Sequence, residues 1–244
     1  MLLPRVAIKL TNKAILSETN FSRMVLKQSL AATSAVLGLY IAPKPINFLN
    51  PSIFIVSMII GITGIFCSGK SSVAKLFEEN GFTHIDADTI GHAFLENEEI
   101  KQKLLNVFGN EILKDNKIDR KTLRKKSFKN IITLGNLNAI MLPSILAEIK
   151  KQAKESPGNA ILSIPLLYET QLEAICDKVI VMKITPELQE ERALAKGWTK
   201  EDIEHINRAQ LSQDTKLQKA DIVVDNTGNE EELKKKVVEV IKGL

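Results

Sequence analysis

Eight residues restrict this chain more than any others: Gly64-Ile65-Phe66-Cys67-Ser68-Gly69-Lys70-Ser71 meets the pattern G-x-x-x-x-G-K-[ST] at every fixed position. The pattern describes a loop whose backbone N–H groups turn inward together. They are joined by the free amides of the helix that follows, so an anion is held without side-chain charge. Glycine at 64 and 69 allows the dihedral angles and the close approach of backbone to ligand. Lys70 then reaches the β- and γ-phosphates of a nucleotide, and the Ser71 hydroxyl is placed to ligate Mg²⁺. With Ser72 in the first helical turn, the run from Gly64 to Ser72 is a candidate ATP-binding segment.

The flanking sequence supplies the context such a loop needs. Ile53 to Ile62 is an apolar run rich in β-branched residues, which predicts a strand buried on both faces. Ser71 to Asn80 carries Val73, Ala74 and Phe77 at helical spacing, and Gly81 predicts the helix end. Phe82 to Ile85 predicts a second strand, completing the strand, helix, strand unit of a parallel sheet. Residues 89–157 are helical in pattern, with apolar clusters at Leu104, Leu105, Val107 and Phe108 and at Leu137, Ile140, Met141 and Ile145. A turn signal at Lys114–Lys117 separates them. Further strands are predicted at Ala160–Leu167, Lys178–Ile184 and Ile222–Val224, and Thr185-Pro186-Glu187 opens a charged helical stretch reaching residue 220. A terminal amphipathic helix completes an α/β chain with a central parallel sheet.

Asp86 and Asp88 close the second strand, where ligands gather in open α/β sheets, and strand alternation puts both on one face. One of them takes a proton from a substrate hydroxyl or holds Mg²⁺ through water; alternatively, Asp88 caps the helix starting near Thr89. Arg192, Lys196, His205, Arg208 and Lys216 read mostly as a solvated face paired with Glu187, Glu190, Glu191 and Glu204. Arg192 is the candidate cation for a transferring phosphoryl group. For Cys67 two readings stand, a thiol with its pKa lowered by the helix N-terminus or an inert small residue.

The net charge of +4 is carried by the first 57 residues, which hold six basic side chains and one acid. Residues 58–244 hold 27 Lys and Arg against 28 Asp and Glu, which argues against nucleic acid as a partner. Two cysteines without metal-ligand spacing fit a reducing, cytoplasmic compartment. The basic, acid-poor opening segment contains a 13-residue apolar stretch, Leu30–Ala42, too short to span a bilayer, so no stable membrane insertion is expected. It reads as an organellar transit peptide, as a surface helix broken by Pro43 and Pro45, or as upstream sequence before a start at Met58. Mass spectrometry of the native N-terminus distinguishes the last from the other two.

Taken together, these residues resemble the dephospho-coenzyme A kinase family. The resemblance rests on Ile62-Thr63-Gly64 leading into Ser68-Gly69-Lys70-Ser71, on Ile85-Asp86-Ala87-Asp88, and on Asp119-Arg120-Lys121-Thr122-Leu123-Arg124 with Phe128. It continues through Leu137-Asn138 with Pro143, Pro165-Leu166-Leu167-Tyr168-Glu169, Gln189 with Arg192, Gln210, and Ala220-Asp221 with Asp225-Asn226-Thr227-Gly228. It implies a three-layer P-loop fold whose core comprises residues 58–89, 158–186 and 216–244, with a helical coenzyme A-binding insertion at 90–157 and a lid at 187–215. It further implies MgATP-dependent phosphorylation of the ribose 3′-hydroxyl of dephospho-coenzyme A, with Asp88 as general base and Asn226 near the adenine. Asp86, Arg120, Tyr168 and Glu169 would lie along the acceptor site. The chain departs from the family at Ile65 and Cys67, where the loop is usually richer in glycine, and at Leu142, where a histidine usually precedes the proline. Lys196 and His205 replace common arginines, and a lysine cannot reproduce bidentate arginine geometry. Two alternatives remain at this stage: another P-loop small-molecule kinase, and a nucleotide-binding regulatory protein impaired in catalysis. Oligomeric state is not legible in the sequence.

Overall fold

The computed structural model describes residues 57–244. The expectations for the opening segment, and the predicted strand residues Ile53–Val56, lie outside the described residues. In chain order the fold runs β1 (Ile59–Gly64), α1 (Lys70–Glu79), β2 (Thr83–Asp86), α2 (Ala87–Phe94), α3 (Glu98–Phe108), β3 (Leu113–Lys114), β4 (Lys117–Ile118), α4 (Arg120–Ser127) and α5 (Ile131–Glu155). It continues with β5 (Ala160–Ser163), β6 (Lys178–Lys183), α6 (Pro186–Ala195), α7 (Lys200–Arg208), α8 (Gln213–Gln218), β7 (Ile222–Asp225) and α9 (Glu230–Lys242).

The main sheet has the order β2-β5-β1-β6-β7 and every pairing is parallel. Alternation along its strands divides the core into two layers. Ile60, Ile62, Ile161, Ile180, Met182 and Val224 face α1 and α9, meeting Val73, Ala74, Phe77, Leu233 and Val237. Ile85, Leu162, Val179 and Val181 face the other way and share a cluster with Leu104, Leu123, Met141, Ile145 and Ile149. Burial on both faces is why these strands read as unbroken apolar runs. The helices between β2 and β5, where the insertion is expected, pack into that second cluster with the sheet.

Local signals place most boundaries. Gly81, at φ 88°, ends α1 as its sequence predicts, with its N–H bonded to the Glu78 carbonyl at 3.0 Å. Asp115 and Asn116, at φ 50° and 61°, form the two-residue turn joining β3 to β4. Thr185 caps α6 with Pro186 in the first turn. Two predicted ranges need correction: β1 continues to Gly64, and β5 stops at Ser163, not at Leu167. The shortening has a cause in the chain, because Pro165 has no N–H to continue a ladder.

A third correction concerns Lys216. Its side chain is fully buried, not solvated, and its Nζ lies 3.0 Å from Glu169 and donates to the Pro165 carbonyl at 2.7 Å. The Thr63 hydroxyl donates to that same carbonyl at 3.1 Å, and Glu169 accepts the Leu211 N–H at 2.7 Å. The ends of β1 and β5 are thereby tied to α8. Because the charge is buried, removing only its counter-ion leaves it unpaired. Glu169→Ala is expected to lower stability by about 3 kcal/mol in urea unfolding, with a large part recovered in the Glu169→Ala/Lys216→Met double variant.

Candidate active site

The loop between β1 and α1 curls as its sequence requires. Gly64 has φ 152° and Gly69 φ 91°, and Cys67 adopts φ 58°. A β-carbon at Gly69 would lie 2.2 Å from Asn226 Nδ2 and one at Gly64 2.9 Å from Met182 Cβ, and with φ positive at both positions a side chain at either is strained. The Ser68 N–H bonds the Ile65 carbonyl at 3.2 Å, closing the turn. Lys70 folds back over it, its Nζ donating to the carbonyls of Gly64 at 3.1 Å and Ile65 at 3.0 Å.

The start of α1 differs from every other described α-helix. Asp86, Asn97, Asp119, Asn130, Thr185, Thr199, Ser212 and Asn229 each cap a helix with a side-chain oxygen. Helix α1 begins at Gly69 with no side-chain cap and no acidic residue in its first turn. Its leading amides and the positive end of its dipole are left for an external anion.

The loop is braced from the β6–β7 side. Asn226 is buried, and its Nδ2 donates to the Ser68 carbonyl at 2.9 Å. Arg192 Nη2 donates to the Asn226 carbonyl at 3.2 Å, and a β-carbon built on Gly69 would stand 3.7 Å from Arg192 Nη1. Gln189, one turn earlier on α6, donates from Nε2 to the Phe66 carbonyl at 2.9 Å. Gln189 and Arg192 thus face the loop from one side of α6, as their three-residue spacing allows.

Beside the loop opens a cleft of about 810 Å³, lined by Asp88, His92, Arg120, Arg124 and a long apolar wall from α5 that includes Leu137, Met141 and Ile145. Among the described helices α5 is the one long and apolar enough to cross a membrane, yet much of its apolar surface forms this wall. Asp88 is solvent-accessible at the cleft. Its pKa is raised, first by loss of hydration and second by the charge of Asp86, while Lys70 opposes the rise. Lys70 is pushed down to about 8, chiefly by burial and then by Lys216, with Asp88 acting the other way. The carboxylate and the ammonium therefore lie within electrostatic reach of each other.

The two aspartates do not share a strand face. Asp86 ends β2 and caps α2, its Oδ1 accepting the Thr89 N–H at 2.7 Å, so the cap predicted for Asp88 belongs to Asp86. Asp88, one residue inside the helix, is left to face the cleft. Arg120 lines the cleft and donates from Nη2 to His92 Nε2 at 2.6 Å, which places the proton of a neutral His92 on Nδ1. Burial first and Arg120 second hold the His92 pKa below its usual value. Tyr168 and Glu169, expected along the acceptor site, stand behind it: Tyr168 is buried in the core and Glu169 turns to Lys216. Among the described residues, no three His, Cys, Asp or Glu side chains cluster as a metal site.

Sequence reasoning did not find the group formed by Phe66, Trp198, Arg124 and Phe128 at the cleft. The one available signal was a single tryptophan in a Gly-Trp-Thr turn within an otherwise charged segment.

A family model described as dephospho-CoA kinase matches residues 58–232. A dephospho-CoA kinase of Fusobacterium nucleatum is 37% identical over 183 residues, spanning 74% of this chain and 95% of the relative. One from Bacillus licheniformis is 40% identical over 181 residues, spanning 71% and 90%. Among solved structures, TT1252 from Thermus thermophilus superposes with a TM-score of 0.62 at 29% identity, covering 77% of this chain and 98% of that one. Dephospho-CoA kinase from Campylobacter jejuni gives 0.56 at 28% identity, covering 75% and 95%.

Of the two readings for Cys67, the local electrostatics favour the inert one. Burial raises its thiol pKa above the usual value, outweighing Lys196, Lys70 and Arg192. Cys176 is pushed up to about 12, again chiefly by burial. Iodoacetamide is therefore expected to label Cys67 more slowly than a free cysteine at pH 7.5, with the rate rising as pH increases; a faster reaction would contradict this assignment.

Proposed function

The chain belongs to the dephospho-CoA kinase family, and from that premise we propose that it transfers the γ-phosphoryl group of ATP to the ribose 3′-hydroxyl of dephospho-coenzyme A, giving coenzyme A and ADP. The observation that carries this reading is an uncapped helix start at Lys70 beside a cleft that the Asp88 carboxylate lines. In it the amides from Gly64 to Ser72 cradle the donor phosphates, Lys70 moves from the loop carbonyls onto the β- and γ-oxygens, and Arg192 offsets charge on the group in transfer. Asn226, already fastened to Ser68, borders the nucleotide.

The buried Ser68 Oγ has no hydrogen-bond partner among the described residues, which fits a loop built to take further acceptors. The donor set also fits Mg²⁺, a hard cation held largely by phosphate oxygens and water: Ser71 would ligate it directly and Asp88 through water. When bound, the ion neutralises charge on the donor phosphates. At the acceptor end, Arg120 offers a cation and the α5 wall an apolar surface for the pantetheine arm. Asp88 takes the 3′-hydroxyl proton as the oxygen bonds to the γ-phosphorus and the bond to ADP breaks. Tyr168 and Glu169 act here as supports for Pro165 and Leu166, which line the cleft. We place residues 187–215 as the lid, residues 90–157 as the acceptor-binding insertion, and the reaction in the cytoplasm, where both free thiols stay reduced.

Four measurements test this reading on the full chain. Asp88→Asn is expected to cut turnover by about 10²- to 10⁴-fold with ATP affinity largely kept. Phosphorylation of a nucleoside but not of dephospho-coenzyme A would refute the acceptor assignment. Because Asp88 acts as a base only when ionised and its pKa is raised, kcat/KM should fall with acid at a pH above the ordinary aspartate range. At the alkaline end Lys70 must stay protonated to grip phosphate, and its pKa is about 8 in the free protein. ATP affinity should therefore weaken as pH rises past that value, approaching about tenfold per pH unit by pH 10.

A further inference from the structure

Trp198 is the single tryptophan of the chain and sits in the turn between α6 and α7. Three parts of the molecule converge on it. Phe66, inside the phosphate loop, meets its ring edge-on with centroids 4.8 Å apart. Phe128, just past α4, does the same at 5.5 Å. The Arg124 guanidinium, from α4, lies over the indole at 3.0 Å from the ring centroid. That guanidinium also donates to the Gly197 carbonyl at 3.3 Å and stands 3.8 Å from Asp202 of α7. His205 Nδ1 donates to the Phe128 carbonyl at 2.8 Å, and Gln189 holds the Phe66 carbonyl at 2.9 Å.

These contacts share a pattern: each joins the α6–α7 segment to the phosphate loop or to the α4 side of the cleft. Phe66, Arg124, Phe128 and Trp198 all line the cleft itself. The tryptophan is half-buried. Its ring meets partners from the phosphate loop and from α4, and a much smaller residue would lose contact with both. Arg124 adds direction, because its fork engages the indole face and the backbone behind it at once.

We infer that Trp198 and Arg124 are positioning residues that register the α6–α7 segment against the donor loop and against the acceptor helix α4 together, so that one element sets both halves of the site. The inference rests on the phosphotransfer reading for the identity of donor and acceptor, but the contacts themselves do not. A role confined to stability would lower the melting temperature and leave both KM values unchanged. A registering role raises the two KM values jointly, because either substrate then meets an unaligned half-site.

The kinetic arm compares Trp198→Ala with Trp198→Phe at saturating cosubstrate. The alanine variant is expected to raise KM for ATP and for dephospho-coenzyme A by about tenfold each, and phenylalanine, which keeps an aromatic edge and face, should stay within about threefold of the parent. A rise in only one KM, or equal losses in the two variants, would overturn the proposal. The second arm needs no turnover: acrylamide quenching of Trp198 emission in the full chain carrying Phe66→Ala or Arg124→Gln. Each substitution should raise the quenching constant about twofold by opening one side of the indole, and unchanged quenching in both would equally overturn it. Should dephospho-coenzyme A prove not to be the acceptor while quenching rises as expected, the assignment of substrate fails and the registering role stands.

Discussion

The first amides of an α-helix have no acceptor within the helix, and proteins usually satisfy one of them with a side-chain oxygen from the residue before. Eight of the nine described helices follow that habit, through Asp, Asn, Ser or Thr. Helix α1 does not, and the rest of the site is arranged around that exception. Central strand β1 delivers the chain to this point with its apolar side chains buried, Gly64 and Gly69 allow the reversal, and Asn226 fixes the loop from below. What would be a loss of helix stability is compensated only when an anion arrives, which makes phosphate affinity a property of the backbone.

A second constraint is the placement of charge. Lys70 and Arg192 at the loop and Arg120 and Arg124 at the adjoining cleft concentrate positive charge in a body whose overall charge is close to neutral. Local concentration of this kind suits a phosphorylated small molecule better than an extended polyanion. The opposing shifts of Lys70 and Asp88 follow from the same crowding: both lose hydration, and each partly steadies the charge of the other. Lys216 shows the structural use of a similar cation, fully buried but neutralised by Glu169 and spent on holding the strand ends.

The apolar wall of α5 illustrates how composition misleads without packing. By length and hydropathy the helix resembles a bilayer span, yet its side chains line a cleft, with a flexible apolar ligand as their proposed partner. The same holds for the charged stretch after β6. Read linearly it is a solvated face, and for Arg208 with Glu204 that reading is right. Folded, it also brings Gln189, Arg192 and Trp198 onto the phosphate loop and the cleft.

The amino-acid sequence by itself determined the features that depend on neighbours along the chain: the phosphate loop, the buried parallel strands, the Thr185 cap, the Asp115-Asn116 turn, and the family. These are legible because dihedral preferences, periodicity and capping act over a few residues. It also pointed to Lys70, Asp88, Arg120, Arg192 and Asn226, which the fold brings to the loop and the cleft. Tertiary structure alone decided which aspartate caps α2 and which faces the cleft, that Glu169 neutralises Lys216, and that burial raises the Cys67 pKa. It alone brought Trp198 against Phe66, 132 positions away in sequence. Burial and charge pairing are set by residues remote in the chain, and no local pattern encodes what an unfolded segment will meet.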